Sequence, residues 1–249
     1  MRLGIVVPAL NEEASIGSVV ERILRSAEPL GSFRVVVCDN HSSDGTAEAA
    51  INAGAEVVET ESRGYGSACL RAIEQLDDWP DVLVFLDADG SSRPEELISL
   101  IEPLQTGRAD LVLGARAHSS AMTLVQRWGT QLAVSLVNLR WGSSFRDMGP
   151  FRCIKLDTYR RLGMRDRTWG WTIEMQILSV LEGVKILEVP VAWEHRIAGR
   201  SKISGTLSGV LRAGTRILWT VGKYSLRRRR DRAVNSRIRH QGTKSTKKS

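Results

Sequence analysis

Cysteine is scarce in this chain, and its three copies are poorly placed for any cysteine framework. Cys38, Cys69 and Cys153 are odd in number and scattered, which excludes a closed disulfide scaffold and offers no metal-binding spacing. A reduced, cytosolic compartment is therefore expected, with Cys38 and Cys153 as small core residues inside apolar runs. Long hydrophobic stretches are missing too. No apolar run reaches the roughly 18–20 residues of a membrane-spanning helix, so none is expected. The first ten residues carry no basic segment ahead of an apolar one, so no signal peptide is expected. A fixed-period repeat is also lacking. Excess charge is absent from most of the chain, despite a formal net charge of +7. Residues 225–249 hold seven Arg and three Lys against one Asp, and the other 224 residues hold 25 basic and 27 acidic side chains. A body so balanced is not a nucleic-acid binder by charge, and no specific nucleic-acid partner is expected.

What is present is a regular alternation. With 249 residues and 42% hydrophobic content, the chain can bury one sizeable core. Apolar β-forming runs predict strands over 3–7, 34–38, 55–59, 82–86 and 110–114, with helices over 12–26, 45–53, 66–77 and 94–104 between them. Strands alternating with helices imply an α/β fold on a mostly parallel sheet. Leu124, Trp128, Leu132 and Leu136 predict a helix over 122–140. Residues 141–200 are richer in Trp, Arg and Gly and resist assignment. Residues 206–224 predict an amphipathic helix, in which Arg212 and Arg216 argue against spanning a membrane. The basic segment 225–249 is expected to be disordered.

Three of the strands deliver polar residues at their carboxyl ends, where open α/β sheets bind ligands. Val82–Leu86 runs straight into Asp87-Ala88-Asp89-Gly90. Two carboxylates emerging where a strand leaves the core should face solvent, a cation, or both, because buried unpaired they cost several kcal/mol each. Mg²⁺ or Mn²⁺ suits such a pair, with phosphate oxygens completing the shell. The first strand leads to Pro8-Ala9-Leu10-Asn11-Glu12-Glu13, with Pro8 closing it and Asn11 capping the next helix. The second leads to Asp39-Asn40-His41-Ser42-Ser43-Asp44-Gly45-Thr46, where Asp44 is equally a helix cap.

The order of these three segments resembles the inverting family-two glycosyltransferases of GT-A fold, and within them most resembles the dolichyl- or polyprenyl-phosphate sugar synthases. The resemblance covers roughly residues 1–205, leaving the 206–224 helix and the basic tail outside it. It implies a GT-A, nucleotide-diphospho-sugar transferase fold with a Rossmann-like central sheet. Asp87 and Asp89 would hold a divalent metal, Mg or Mn, and Pro8, Asn11, Glu12, Asp39 and Asp87 would line the donor pocket. Glu13 reads instead as a solvated first helical turn. Members commonly carry Asp where Asn40 stands, which leaves the base preference open.

Further segments fit the same resemblance. Arg63 and Gly64, in Arg63-Gly64-Tyr65-Gly66-Ser67, match a glycine segment beside the nucleotide, though a plain turn explains them almost as well. Asp147, in Arg146-Asp147-Met148-Gly149-Pro150-Phe151-Arg152, would lie near the reaction centre. It is either a base, an orienting carboxylate, or a surface partner of Arg146. Trp171 and Glu174 would stack on and hydrogen-bond a sugar, with a core role for Trp171 equally open. Arg196, Arg200, Ser201 and Lys202 match a cationic loop that neutralises a leaving diphosphate or an acceptor phosphate; His195 is unassigned.

The resemblance thus implies transfer of a hexose, mannose from GDP-mannose or glucose from UDP-glucose, to a membrane polyprenyl or dolichyl phosphate. The chain would sit peripherally on the cytoplasmic face, its basic tail on anionic lipid. The alternatives are a glycosyltransferase acting on another lipid or a soluble acceptor, and a non-catalytic nucleotide-sugar binding protein.

Overall fold

The computed structural model describes residues 1–116, 121–198 and 214–226. Its centre is one seven-stranded sheet: β1 (Leu3–Ala9), β2 (Phe33–Asp39), β3 (Glu56–Glu59), β4 (Val82–Phe85), β5 (Leu111–Arg116), β6 (Arg152–Lys155) and β7 (Ile186–Val191). The strand order is β3-β2-β1-β4-β6-β5-β7. Every neighbouring pair is parallel except those of β6, which runs antiparallel to both β4 and β5. The expected mostly parallel sheet is present, and β6 is the departure from it. Only four residues long and opened by an arginine, β6 carries no alternation that marks a strand by itself.

Alternation along β1 decides the two cores. Leu3, Ile5 and Val7 point to the layer made by α1 (Glu13–Ala27), α2 (Thr46–Asn52) and α4 (Leu97–Gln105). Val6 points to the opposite layer, made by α3 (Tyr65–Leu76), α5 (Leu124–Trp141), α6 (Leu156–Leu162) and α7 (Trp171–Leu181). Both faces are covered, so the strands read as continuous apolar runs. All three cysteines are buried, Cys38 and Cys153 as their apolar runs suggested and Cys69 with them.

Two local expectations at the first strand are corrected. Pro8 does not close β1, which continues to Ala9, with Pro8 in register with Cys38 of β2. The carbonyl of Val6 accepts from the Leu86 amide on the β4 side. Two residues on, Pro8 faces that same side after β4 has ended at Phe85, so its missing N–H forfeits no ladder bond. Asn11 does not cap α1, whose first turn is preceded by Glu12 with no side-chain cap. Asn11 has a φ of 50° and spends its Oδ1 on the Ser43 amide at 2.8 Å, which ties the first loop to the second.

The helix read from Leu124, Trp128 and Leu132 is present as α5, but those three side chains are exposed; its buried side is Ala133, Val134, Val137 and Trp141. Of the amphipathic C-terminal segment, 214–226 is helical. Residues 206–213 and the basic segment from 227 lie outside the described residues. No described helix is long and apolar enough to cross a membrane.

Candidate active site

The carboxyl ends of β1, β2 and β4 converge, and their loops bring acids together from three parts of the chain. Asp87 and Asp89 follow β4; Asp89 is buried and Asp87 partly buried. Burial, reinforced by the negative charge of Asp89, pushes the Asp87 carboxyl up to about 7. Tyr65, whose own phenol is driven upward by burial, donates to Asp87 Oδ1 at 3.2 Å. Asp89 Oδ1 accepts from the Ser91 amide at 2.9 Å, while Oδ2 faces Arg196 Nη1 at 2.5 Å. The second guanidinium nitrogen, Nη2, meets Glu12 Oε1 at 2.5 Å. Ser15 locks this arrangement by donating to Glu12 Oε2 at 3.2 Å and to the Ala88 carbonyl at 3.0 Å.

The Asp89 carboxylate beside Asp87 disfavours a second negative charge there, so the two form a donor set that gains from a cation between them. Their oxygens are hard ligands suited to a divalent metal. No group of three or more potential metal ligands occurs among the described residues. The chain therefore offers Asp87 and Asp89 and leaves other coordination positions to oxygens of a substrate or water. The residues fit such a metal on that condition.

Gly90, with φ of 76°, turns the chain under the 194–198 segment; a Cβ there would stand 2.4 Å from Ile197 Cδ1. The Ile197 amide donates to the Asp89 carbonyl at 3.0 Å, so the loop carrying Arg196 closes directly over the acidic pair. Beside it a cavity of about 330 Å³ is lined by Asn11, Glu12, Asp44 and Ala198 among others.

On the β2 side, Asp39 is buried and accepts from the Ser42 amide at 3.0 Å and its hydroxyl at 2.5 Å. Asn40 Oδ1 accepts from the Gly64 amide at 3.1 Å, tying the glycine segment to this loop, with Arg63 exposed beside it. Gly64 has φ of 144°, and a Cβ there would lie 2.1 Å from the Arg167 carbonyl, so the position admits glycine alone. Asp44 accepts from the Thr46 amide at 3.1 Å, at the start of α2, and from the Glu13 amide at 3.3 Å. Glu13 reaches back to the Gly45 amide at 3.1 Å.

Asp147 is buried and paired, but not with Arg146, whose side chain is largely exposed. Its partner is Arg116 at the end of β5. Arg116 Nε meets Oδ2 at 2.8 Å, Nη2 meets Oδ1 at 2.7 Å, and the Arg116 amide donates to Oδ2 at 2.8 Å. Burial alone would raise the Asp147 carboxyl, but the Arg116 hydrogen bonds and charge outweigh it and hold the group below the usual carboxylate range. A carboxylate so committed orients a guanidinium and is poorly suited to take a proton. Arg116 also lies 5.0 Å from the centre of the Trp193 ring. Beneath this pair Arg152 is fully buried, donating to the carbonyls of Gly149 and Thr172, and burial lowers its guanidinium to about 10.

Trp171 and Glu174 are not brought into this cleft. Trp171 is 1% exposed and packs on Phe85 and Tyr159. Glu174 is fully buried and accepts from the Arg165 and Asp166 amides at 2.9 and 2.7 Å and from the Tyr224 hydroxyl at 2.6 Å. Asp166 receives Arg216 at 2.9–3.0 Å, so two buried acids fasten the 214–226 helix to the body. Arg200, Ser201 and Lys202 lie outside the described residues.

The structure thus gathers Glu12, Asp89 and Arg196 in direct contact, with Asp87 within electrostatic reach of Asp89 and Arg196 and with Asn11, Asp39 and Gly64 along the flanking loops. Tyr65, Ser15, Arg116 and Trp193 join them without having been singled out. Tyr65 and Arg116 stand at a helix start and a strand end, the only signal that could have pointed to either.

Residues 4–176 match the glycosyl transferase family 2. Over 207 residues the chain is 34% identical to an uncharacterized glycosyltransferase of Mycobacterium tuberculosis, covering 82% of this chain and 91% of the relative. It is 32% identical over 226 residues to the undecaprenyl-phosphate mannosyltransferase of Micrococcus luteus, covering 84% and 90%. Among solved structures, glucosyl-3-phosphoglycerate synthase of Mycobacterium tuberculosis, in complex with Mn²⁺ and UDP-glucose, superposes with a TM-score of 0.70. That match has 25% identity over 88% of this chain and 77% of the other.

Proposed function

We propose a specific reaction for this chain, which belongs to glycosyl transferase family 2: inverting transfer of a hexose from a nucleotide sugar to a membrane polyprenyl phosphate. Arg196 carries the reading. Two of its nitrogens already bridge Asp89 and Glu12, and its Nε is buried with no acceptor among the described residues. A buried donor without a partner is unfavourable. An oxygen of a nucleoside diphosphate would satisfy it.

In this reaction an acceptor phosphate oxygen attacks the anomeric carbon from the face opposite the diphosphate. The carbon–oxygen bond to the nucleoside diphosphate breaks, and the electron pair leaves with it. A divalent metal at Asp87 and Asp89, when bound, supplies positive charge to the departing diphosphate. Arg196, and Lys202 in the same cationic segment, add charge-assisted hydrogen bonds to the same oxygens. Asp39 and the Asn40–Gly64 contact shape the nucleotide side, and Arg116, held by Asp147, faces the acceptor side. A phosphate acceptor is mostly ionised near neutral pH, its second pKa being about 6, so no base is needed. The commitment of Asp147 to three N–H donors agrees with that.

The polyprenyl phosphate is supported by the Micrococcus luteus relative, whose name specifies undecaprenyl phosphate. The name of the structural neighbour makes a soluble phosphoglycerate the alternative acceptor. UDP-glucose and GDP-mannose, each with Mn²⁺ or Mg²⁺, should be offered with polyprenyl phosphate and, separately, with 3-phosphoglycerate. Sugar recovered in extracted lipid, and lost on chelation, is the expected result. Transfer to the soluble acceptor alone would overturn the lipid assignment, and full activity under chelation would overturn the metal.

A further inference from the structure

Acidic residues are spread through most of this chain, yet two segments hold none: 111–146 and 195–230. These segments contain α5 and the 214–226 helix, and the two helices meet where Arg140 donates to the Ser225 carbonyl at 3.0 Å. Both carry large apolar side chains on the outside. On α5, Leu124, Trp128, Leu132 and Leu139 are 70, 75, 59 and 87% exposed. At about 100° per residue they fall within an arc of roughly 80° on the helix surface. Scattered exposed leucines are ordinary, but a continuous stripe built on a tryptophan marks a contact surface. On the second helix Leu218, Trp219 and Leu226 are more than half exposed, and Leu226 and Leu139 flank the Arg140–Ser225 bond. The exposed charges beside these apolar groups, Arg127 and Lys223, are cations, Lys223 standing 3.8 Å from the buried Glu174 carboxylate.

The stripe belongs to a well-fixed helix. Thr123 and Gln126 form a reciprocal capping box at the start of α5, and Gly142, at φ of 72°, ends it. The opposite side of α5 reaches the site, because Thr130 Oγ1 accepts from Arg116 Nη2 at 3.4 Å. One helix thus has the Arg116–Asp147 pair on its inner side and an apolar, acid-free stripe on its outer side.

We propose that the outer face of α5, continued by the 214–226 helix, is the surface on which this protein lies in the headgroup layer of an anionic phospholipid bilayer. Trp and Leu enter the acyl boundary, while Arg127 on the same face meets lipid phosphates. Charge selects this occupant over a second copy of the chain, since neither segment holds an acidic residue with which a second copy could pair. A bilayer is where a polyprenyl phosphate resides, so this face takes its meaning from the acceptor proposed above. Lying here, the protein holds Arg116 within one helix diameter of the lipid surface.

The test uses the full chain and vesicles of phosphatidylcholine with phosphatidylglycerol, compared with phosphatidylcholine alone. Binding is read by co-sedimentation at low salt and at about 0.5 M salt, where exposed charges are heavily screened. Trp128→Glu with Leu132→Glu should weaken partition into the anionic vesicles at least tenfold at high salt. Donor binding by titration with UDP-glucose or GDP-mannose and the melting temperature should stay as in the wild type. Leu139→Glu alone, at the most exposed position, should weaken partition severalfold and serves as the second variant should the double one fold poorly. Unchanged partition of either folded variant overturns the proposal. So does a wild-type dimer in sedimentation velocity that the double variant abolishes while neither binds vesicles, which assigns the face to a second copy. Vesicle binding through α5 in an enzyme that glycosylates only a soluble acceptor would leave this surface standing and remove the lipid acceptor.

Discussion

Two sets of carboxylates withdrawn into this molecule differ in how completely they are furnished. Around Glu174 and Asp166, every acid is met by donors: backbone amides, the Tyr224 hydroxyl and the Arg216 guanidinium. At the other set Asp89 is met by Ser91 and Arg196, but Asp87 accepts from Tyr65 alone among the described residues, and burial together with the Asp89 charge pushes it up to about 7. The first set is satisfied by the fold and holds an element in place. The second is left wanting a cation, which is what a site that binds metal and phosphate requires. Burial alone does not separate a working acid from a structural one; the completeness of its partners does.

The contrast is sharpest in Asp89→Asn. Glycosyl transfer should fall by on the order of 1000-fold, because charge stabilisation of the leaving group is worth several kcal/mol. The melting temperature should change little, because the relieved repulsion with Asp87 offsets the weakened contact with Arg196. A clear loss of stability in calorimetry would show that this pair is structural after all. Arg196→Ala should lower kcat on the order of 100-fold, more than it raises KM for the donor, because negative charge on the diphosphate grows toward the transition state. Equal effects on kcat and KM in steady-state kinetics would reduce Arg196 to uniform binding.

On the other side of the comparison, Glu174→Gln should destabilise the fold by about 3 kcal/mol, since it breaks a fully buried, charge-assisted set. Denaturant unfolding measures this, and turnover of the remaining folded enzyme should change only severalfold. A stable but inactive variant would move Glu174 into the catalytic group.

Asp147 lies between the two classes, and pH separates its contribution. Its native proton affinity is below the ordinary carboxylate value, so it stabilises the fold above the unfolded value of about 3.9. That contribution is lost as pH falls through the lower native value. Wild type should therefore exceed Asp147→Asn by about 1–2 kcal/mol near neutral pH, with the gap closing in acid. A gap that is constant with pH, in unfolding curves, would mean that shape and not charge holds Arg116.

Strands β1 to β5 and helices α1 to α5 were legible within a few residues, because each is a local run whose period and end signals act on near neighbours. The Asp87-Ala88-Asp89 turn was legible for the same reason. β6 was not, since an antiparallel insertion between β4 and β5 is chosen by partners in the sheet. Partner choice also decided the open question for Trp171 and drew Glu174 inward: aromatics and an acid at a helix start look alike whether they face a sugar or a core. The α5 stripe predicted a helix correctly and gave no sign that its apolar side faces outward.

The sequence by itself determined the alternating α/β pattern, the acids at the strand ends, the cationic segment after residue 194 and the position of the basic excess. All of these follow from residue type and local spacing. Only the tertiary structure decided that Arg196 lies across Asp89 and Glu12, that Asp147 belongs to Arg116, and that Glu174 fastens a helix. These contacts join residues from 31 to 184 positions apart, and their energies depend on which groups burial leaves without water and how completely the remaining donors replace it.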